Sequence, residues 1–460
     1  MNIKIKTLLI TLVLGCFMIT AAHAKKGRKL PVGAYIKSAK IEILSGDLER
    51  YKTAEALLDS LFMNYGPVAE GLHLMEQMMV DYLERTSALQ DKVPHVERLV
   101  AYNDSLHACC EDKKIKSKYR DNCDEYIELS DSLQVKYWRQ FYNDGIKQMG
   151  IVEERQSQIA GETDSLYIAS LKEEVQANAD SAITNIKLSL MIDDSDYRGY
   201  IGVGSVYEKL KDYEQAIEWL EKGLEKIDNR TMLLNNIAYD YIMMNDYCKA
   251  IPYFKEHVEL LPTDTSTMSN LAICYNNCGF YDSALAVNQQ IISVAPDNAE
   301  AYSQIGRYFN QMVRNASDSA SYYQKEGGNE AKAKEFNDLR NAYYDSSIVY
   351  FKRVTEITPD DVLAQEQYGT ICALREQYVE AANAFRKLTE LKPEHTEYWR
   401  YLGDCELKKQ NYAEAAAAYE KVVAAKDTDL MTWESLSALY KELGEKAKAK
   451  EADAKIKSLK

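Results

Sequence analysis

Apolar residues follow a helical spacing through most of this chain, and one arrangement of them returns every 34 positions. Its members are Tyr200, Val203, Gly204, Tyr207, Ala216 and Leu220, then Leu234, Ile237, Ala238, Tyr241, Ala250 and Phe254, then Met268, Leu271, Ala272, Tyr275, Ala284 and Asn288. Each unit has two stretches with apolar residues at i, i+3, i+4 and i+7, which predicts a stripe on each of two helices. A helical hairpin cannot bury both stripes alone, so we expect the units to stack.

Small residues stand at the eighth and twentieth positions of each unit, as at Gly204 and Ala216. They let the two helices approach closely, while bulky residues at positions eleven and twenty-four fill the space between hairpins. Pro262 and Pro296 close their units at the same phase. The pattern resembles the tetratricopeptide repeat family. The resemblance implies an all-α fold, a right-handed superhelical solenoid of stacked antiparallel helical hairpins.

After Pro296 the repeat is interrupted, because the next good second helix, 347–354, arrives 29 residues late. The phase resumes at Pro359, and we count seven units over 197–460 with an insertion at about 313–344. The insertion carries aromatic residues among Lys and Glu, with Gly327 and Gly328 in its middle. It is either two helices extended beyond the solenoid and joined at the glycines or a mobile surface loop.

Three positions depart from the family pattern. Asn288 stands where the family has an aromatic residue, Glu406 where it has Tyr, and Asp453 where it has Phe. The last substitution has a simple explanation, because a final hairpin has no neighbour to cover its outer face. We therefore expect the Lys-rich segment 447–460 to be a solubilising cap.

The region before residue 197 shows a weaker form of the same pattern. We interpret 137–196 as another interrupted repeat, and 25–136 as an N-terminal helical region of degenerate repeats, since no alternating strand pattern occurs in it. Asp-Ser pairs at Asp180, Asp282 and Asp345 are expected to mark where second helices begin, because both side chains accept hydrogen bonds from a first helical turn.

The N-terminus predicts export. Lys4 and Lys6 precede an apolar run at 8–19, and Ala22-His23-Ala24 resembles a cleavage site, so 1–24 is interpreted as a secretory signal peptide. The alternative is a lipid anchor at Cys16, which the continuing apolar run disfavours. No later stretch has the roughly 20 apolar residues that a membrane span needs. We expect an exported protein, in the periplasm.

The charge of the chain argues against nucleic acid as a partner. The net charge is −15, and it becomes −17 without the two lysines of 1–24, since 54 basic residues then face 71 acidic ones. Binding of phosphates needs a basic face, and the basic run at 25–29 is only a short tail.

Eight of the nine cysteines remain after removal of 1–24, and an oxidising compartment favours disulfides. Cys109, Cys110 and Cys123 flank a polar stretch between two helices, so one of the adjacent pair is expected to bridge to Cys123. His107 also permits a metal site, but a full ligand set at metal spacing is missing. The remaining five are expected to pack as small apolar residues, namely Cys248, Cys274, Cys278, Cys372 and Cys405.

No catalytic motif or cofactor-binding motif occurs, and we predict neither an enzyme nor a cofactor. In the resembled family, a concave groove is lined by five positions of each first helix. The residues that this implies are Asn235, Tyr239, Ser269, Ile273, Asn276, Asn277, Ser303, Arg307, Asn310 and Gln311. Their amides and hydroxyls can hydrogen-bond a peptide backbone, while Tyr239 and Ile273 offer apolar contact.

The sequence thus favours a non-catalytic scaffold or adaptor of the bacterial envelope that binds a protein or peptide. The alternative is an N-terminal helical domain with a hydrolytic or ligand-binding role, recruited to its target by the repeats. Residues 31–132 distinguish the two: they either stack as further hairpins or close a pocket lined with convergent carboxylates. The sequence does not specify the oligomeric state.

Overall fold

The computed structural model describes residues 29–325 and 328–460. The predicted signal peptide, Cys16 and Gly327 lie outside the described residues. Within them the regular structure is entirely helical, with twenty α-helices, one short 3-10 helix and no strand. None of these helices is long and apolar enough to cross a membrane. The chain divides into two compact units, with the boundary between Asn245 and Asp246.

Unit 1 contains nine of the α-helices. They are α1 Val32–Leu44, α2 Leu48–Tyr65, α3 Ala69–Arg85, α4 Leu89–Glu111, α5 Cys123–Gly161, α6 Ser165–Ile192, α7 Tyr197–Lys209, α8 Tyr213–Leu224 and α9 Thr231–Met243. The pairs α1–α2, α3–α4, α5–α6 and α7–α8 pack as hairpins. Residues 31–132 therefore consist mainly of helices packed in pairs as hairpins.

Unit 2 contains eleven α-helices, each packed against the next. They are α10 Tyr247–Leu260, α11 Thr265–Asn277, α12 Tyr281–Val294, α13 Ala299–Lys325, α14 Glu330–Ile357, α15 Val362–Leu374, α16 Tyr378–Leu391, α17 Thr396–Lys408, α18 Tyr412–Ala425, α19 Leu430–Glu442 and α20 Lys446–Leu459. The stack of helical hairpins in each unit agrees with the all-α solenoid predicted from the repeats. Only Ala449 and Ala452 of α20 are buried, as a terminal cap requires.

The insertion consists of helix, because α13 and α14 continue through most of 313–344. Their outer halves pack through aromatic contacts, with the rings of Tyr323 and Phe336 stacked at 5.6 Å. Asn329 caps α14 by accepting a hydrogen bond from the backbone N–H of Lys332. The structure thus has the two extended helices rather than the surface loop.

The positions at which the helices begin correct one prediction. Asp180 lies inside α6 and Asp345 lies inside α14, so these two Asp-Ser pairs do not mark helix starts. Asp282 does lie in the first turn of the second helix α12, although the N-cap of that helix is Phe280. In the interrupted units the second helices are long and unbroken, so their N-caps lie upstream of the Asp-Ser pairs. The aspartates that do accept hydrogen bonds as N-caps are Asp47, Asp164, Asp196, Asp212, Asp246, Asp264, Asp361 and Asp429.

Small residues at position eight admit the bulky residue of the paired helix, as the repeat pattern predicts. A Cβ on Gly403 would lie 2.6 Å from Cε1 of Tyr419, and a Cβ on Gly306 would lie 2.8 Å from Cε2 of Phe351. Real Cβ atoms do not approach other atoms so closely. The helices of these hairpins are therefore packed at a separation that only glycine permits.

We expect Gly403→Ala to lower the free energy of unfolding by about 1–3 kcal/mol, because the added methyl group must displace the buried ring of Tyr419. Gly150→Ala is the matched control. It lies inside α5 with no atom within 4 Å of its Cβ position, so helix propensity alone should raise stability by up to about 1 kcal/mol. Urea unfolding of both variants measures the difference, and equal effects would contradict the packing.

Two disulfides are present among the described residues. Cys110 pairs with Cys123, and Cys248 pairs with Cys278. The prediction that Cys248 and Cys278 pack as free thiols was wrong. Helices α10 and α11 are antiparallel neighbours, so the start of one lies beside the end of the other, and the two Cα atoms are 5.7 Å apart. Cys109, Cys274, Cys372 and Cys405 are buried free thiols.

Thiol counting tests both the pairing and the processing. A chain cleaved after Ala24 keeps eight cysteines, of which four should react with a thiol reagent in denaturant and all eight after reduction. A chain that retains an unmodified Cys16 should show one more thiol in each measurement. Eight reactive thiols without reductant would contradict the disulfides.

Candidate functional site

The predicted groove residues of unit 2 lie on two first helices, α11 and α13. Ile273, 42% exposed, and the exposed Asn277 and Arg307 lie at the surface. Ser269, Asn276 and Gln311 are half-buried, whereas Ser303 is buried. On α11 the half-buried Ser269 is followed by the exposed Ile273 and Asn277, because positions four apart on one helix lie on the same face.

The polar groups on this face are held by local bonds. Ser269 Oγ donates to the carbonyl oxygen of Thr265 at 2.8 Å, and Asn277 Nδ2 donates to that of Ile273 at 2.9 Å. These bonds leave the amide oxygen of Asn277 to accept from a ligand. Arg307 Nη1 lies 4.0 Å from Glu300 Oε1, a loose and exposed pair that a bound ligand could replace at little cost.

Asn310 differs from the other predicted groove residues because its side-chain amide is hydrogen-bonded to other helices of the protein. Its Nδ2 donates to Gln367 Oε1 at 3.0 Å, and its Oδ1 accepts from Ser347 Oγ at 2.8 Å. Ser347 is fully buried on α14, and Gln367 lies on α15. Asn310 thus joins three helices, and its amide is already used inside the protein.

In unit 1 the predicted groove residues are both on α9. Asn235 is half-buried, and Tyr239 is 44% exposed. Tyr239 also lines a cleft of about 350 Å³ together with residues of α7 and α8. The sequence brings these side chains to one face because they are four positions apart on a helix.

The exposed face of unit 2 continues beyond the predicted residues. Thr370 on α15, Asp404 on α17 and Ala438 on α19 occupy the position in their repeats that Ile273 and Arg307 occupy in theirs, and all are exposed. We call this set the first-helix surface, defined by Ile273, Asn277, Arg307, Thr370, Asp404 and Ala438. It offers apolar, amide, hydroxyl and charged groups, as a surface that contacts a polypeptide does.

A buried polar cluster in unit 1 was not found by sequence reasoning. Ser130 Oγ donates to Glu76 Oε1, and Asn103 Nδ2 donates to Ser130 Oγ at 2.7 Å. His73 Nδ1 lies 3.6 Å from Glu76 Oε2. Ser130 and Glu76 are both 0% exposed, so this serine cannot reach a substrate, and its proton is bonded to the carboxylate rather than to the imidazole. The cluster joins α3, α4 and α5.

A second cleft in unit 1 is lined by carboxylates. It has a volume of about 410 Å³ and includes Asp104, Asp131, Asp193, Asp196, Trp138, Gln134, Arg139 and Arg198. Asp196 is ion-paired to Arg198 at 2.5 Å, and this hydrogen bond lowers the pKa of Asp196 more than burial raises it. Among the described atoms, Trp138 Nε1 and Gln134 Oε1 are buried without a hydrogen-bond partner. We call it the aspartate-rich cleft.

No group of three or more His, Cys, Asp or Glu side chains within 29–325 and 328–460 is arranged to hold a metal ion. His107 Nε2 is instead 2.9 Å from Asp131 Oδ1, and Cys110 is used in a disulfide. His107 and Cys110 therefore have other partners in the structure, whereas Cys109 is a buried free thiol.

Consecutive helical hairpins with glycine-permitted packing define a helical-repeat protein. The repeat is identified by comparison with family models, since the chain matches the tetratricopeptide repeat at residues 197–225 and again at 344–429. The chain therefore carries tetratricopeptide repeats in these two segments, and repeats of this kind typically form protein-binding scaffolds.

Several solved structures are similar to parts of the chain. A tetratricopeptide repeat protein from Parabacteroides merdae is 18% identical, with 57% of this chain and 93% of that chain covered and a TM-score of 0.33. The C-terminal part of a repeat protein from Cytophaga hutchinsonii is 19% identical, with 57% and 95% covered and a TM-score of 0.37. MamA from Desulfovibrio magneticus is 19% identical, with 44% and 97% covered and a TM-score of 0.31. No curated protein matches the sequence.

Proposed function

We propose that this protein is a non-catalytic scaffold or adaptor of the bacterial cell envelope, and that it binds a protein or peptide along the first-helix surface. The observation that carries the proposal is the recurrence of exposed side chains at one repeat position, from Ile273 through Arg307 and Thr370 to Asp404. A regular row of such groups matches an extended chain, whose own groups recur at regular intervals.

The composition of the surface supports a polypeptide partner. Asn277 offers an amide oxygen for a backbone N–H, Arg307 offers donors for carbonyl or carboxylate oxygens, and Ile273 offers apolar contact. Nucleic acid is disfavoured, because a chain with a net charge of −15 lacks the basic excess that phosphate binding requires.

Two features support placement in the envelope. The pattern at 1–24 predicts export, and the Cys110–Cys123 and Cys248–Cys278 disulfides are typical of oxidising compartments such as the periplasm. We propose that the exported chain is processed after Ala24 and acts there.

An affinity capture from envelope extract tests the proposal. The bait is the purified protein, and the variant carries Asn276→Ala, Asn277→Ala and Arg307→Ala, which remove two amides and one cation from α11 and α13. The matched control carries Gln289→Ala, Gln290→Ala and Lys352→Ala, which remove the same groups from exposed positions on the second helices α12 and α14. We expect a partner that the wild type and the control retain and the variant loses.

A partner retained equally by all three proteins would contradict binding at the first-helix surface. Capture of no partner by the wild type would contradict the scaffold proposal. Circular dichroism of the three proteins must agree, since all six substitutions are at half-buried or exposed positions and should leave the helices intact.

The aspartate-rich cleft favours a second candidate, a ligand-binding role for the N-terminal region. The unpartnered donor on Trp138 and acceptor on Gln134 lie one helical turn apart on α5 and could bind one polar ligand. Asp196 is not suited to act as a general acid in this cleft, because the hydrogen bond from Arg198 lowers its pKa more than burial raises it.

A further inference from the structure

The tenth position of the repeat is apolar and buried in five units and carries a carboxylate in one. Val206, Cys274, Ile371, Cys405 and Leu439 occupy it, and each is at most 4% exposed. In α9 the same position is Asp240, which is 3% exposed. A buried carboxylate at a core position costs stability, and such local violations of a pattern occur at functional sites.

Asp240 has no partner for one of its oxygens. Its Oδ2 is buried and accepts no hydrogen bond from the described residues. It lines the 350 Å³ cleft with Glu208 and Lys209 of α7, Tyr213 of α8, and Asn236, Tyr239 and Met243 of the same helix. We call this the acidic cleft. Because its Oδ2 atom has no partner, Asp240 can accept a hydrogen bond from a donor that enters the acidic cleft.

The cation that lines the acidic cleft is already used elsewhere. Lys209 Nζ lies 3.0 Å from Glu153 Oε2 on α5. Its ion pair is therefore with Glu153 and not with Asp240 or Glu208. Glu208 is half-buried and lies close enough to Asp240 to repel its charge. The charge of Lys209 lowers the pKa of Glu208 by less than burial raises it, while the pKa of Asp240 is shifted only by burial and by Glu208.

The titration of both groups agrees with this geometry. Burial, and then repulsion from Glu208, raises the pKa of Asp240 to about 8. Burial also raises the pKa of Glu208. An incoming cation would remove the repulsion and restore the ionised forms.

We propose that the acidic cleft binds an arginine side chain of the partner polypeptide, with the guanidinium between Asp240 and Glu208 and its aliphatic stem against Tyr239 and Met243. The inference rests on the proposed function, since it names one recognition element of the bound chain. Tyr239 belongs both to this cleft and to the predicted groove, so an arginine bound here would be part of a chain lying along α9.

Arginine fits the cleft better than the other cations. Its planar fork can donate to two carboxylates at once, it is more weakly hydrated than an ammonium group, and it stacks on aromatic rings. Tyr213 and Tyr239 supply such rings. Ca²⁺ is disfavoured, because two carboxylates supply fewer than the about six to eight oxygen ligands that this ion takes.

The test uses the purified protein with ¹³C-methyl-labelled methionine and reports on the Met243 methyl resonance, assigned with Met243→Leu. The probes are N-acetyl-arginine methylamide and its uncharged analogue N-acetyl-citrulline methylamide. We expect the arginine probe to shift the Met243 resonance at millimolar concentration and the citrulline probe to leave it unchanged. Asp240→Asn and Glu208→Gln should each weaken binding of the arginine probe about tenfold or more.

Glu214→Gln is the matched control, because Glu214 is exposed on α8 next to Tyr213 and does not line the cleft. It should bind the arginine probe as the wild type does. No shift with arginine, equal shifts with citrulline, or unchanged binding by Asp240→Asn would overturn the proposal. Tighter binding of N-acetyl-lysine methylamide than of the arginine probe would also overturn it.

A stability measurement separates a ligand-binding role from a structural one. Asp240→Val restores the apolar residue of the other repeats, so it should raise the Tm while abolishing arginine binding. A lowered Tm would show that Asp240 supports the fold, and it would overturn the proposal. The probe experiment needs no partner protein. A negative result with the arginine probe therefore overturns the arginine site and does not affect the interpretation of the capture experiment. A negative capture experiment with a positive probe result would instead show an arginine-binding site in a protein without a scaffold role.

Discussion

Phe351→Ala is expected to lower the free energy of unfolding by about 3–5 kcal/mol, the largest effect that we predict for a single substitution. The ring is 1% exposed and lies over Gly306 of α13, with 2.8 Å between its Cε2 atom and the Cβ position of the glycine. It belongs to the same buried cluster as Ile371 and Cys372 of α15. Because glycine has no side chain to fill the space, removal of the ring leaves a cavity between three helices.

Urea unfolding measures the effect. The urea concentration at the unfolding midpoint is compared between the two proteins, and the slope of the unfolding free energy against urea concentration should be the same for both. Val349→Ala is the control on the same helix, since Val349 is 64% exposed and its truncation should change stability by no more than about 0.5 kcal/mol. A loss below about 1 kcal/mol for Phe351→Ala would contradict the packing of the extended α13–α14 hairpin into the repeat stack.

Glu406→Ala is expected to cost about 2–4 kcal/mol at neutral pH, because it removes the centre of a buried ion network. Glu406 is 1% exposed. Arg386 Nη2 donates to its Oε1 at 2.6 Å, while Lys409 Nζ and Asn411 Nδ2 donate to its Oε2 at 2.9 and 2.7 Å. The variant leaves these donors without their acceptor. Glu434→Ala, which breaks an exposed pair with Lys460, should cost less than about 1 kcal/mol.

The contribution of the Glu406 charge depends on pH in a defined direction. Burial raises the pKa of Glu406, but the hydrogen bonds from Asn411 and Lys409 and the charges of Lys409 and Arg386 outweigh it and hold the pKa below its ordinary value of 4.5. The stabilisation is therefore fully present above pH 4.5 and is lost as the pH falls through the lowered pKa. The stability difference between wild type and Glu406→Gln should shrink over that range. A constant difference would contradict the ionised network.

The sequence predicted most of the fold, because the repeat imposes a strict relation between residue size and position. Gly403 and Tyr419 are sixteen positions apart in the chain, and the pattern alone required them to meet. Ser347, Phe351 and Val354 were likewise predicted as a second helix, and all are buried. Such features depend on local spacing within one hairpin, which a sequence displays directly.

Features that depend on contacts between separate hairpins were not predictable in the same way. Cys248 and Cys278 pair because the ends of α10 and α11 meet, and neither residue has a distinctive neighbour in the sequence. The Asp-Ser pairs at Asp180 and Asp345 were misinterpreted because they lie within helices that continue past the repeat length. Asp240 could have been found, since it is the carboxylate at a position that is otherwise mostly apolar.

Glu208 shows how much of the acidic cleft could be predicted from the sequence. It occupies the position in α7 that Asn276 and Asn310 occupy in α11 and α13, so the family pattern would have included it. Its partner across the cleft, Asp240, lies on the neighbouring first helix at a position that normally packs in the core. The sequence could therefore indicate each residue, but only the structure brings the two together with Tyr213 and Met243.

Site-specific photo-crosslinking in envelope extract tests the central claim, binding at the first-helix surface, most directly. A benzophenone amino acid is placed at Ile273 or Thr370 on that surface, and at the exposed Val349 or Val379 on second helices. We predict that Ile273 and Thr370 each give an adduct with the same partner, while Val349 and Val379 give none. Adducts formed only from the second-helix positions would contradict the account.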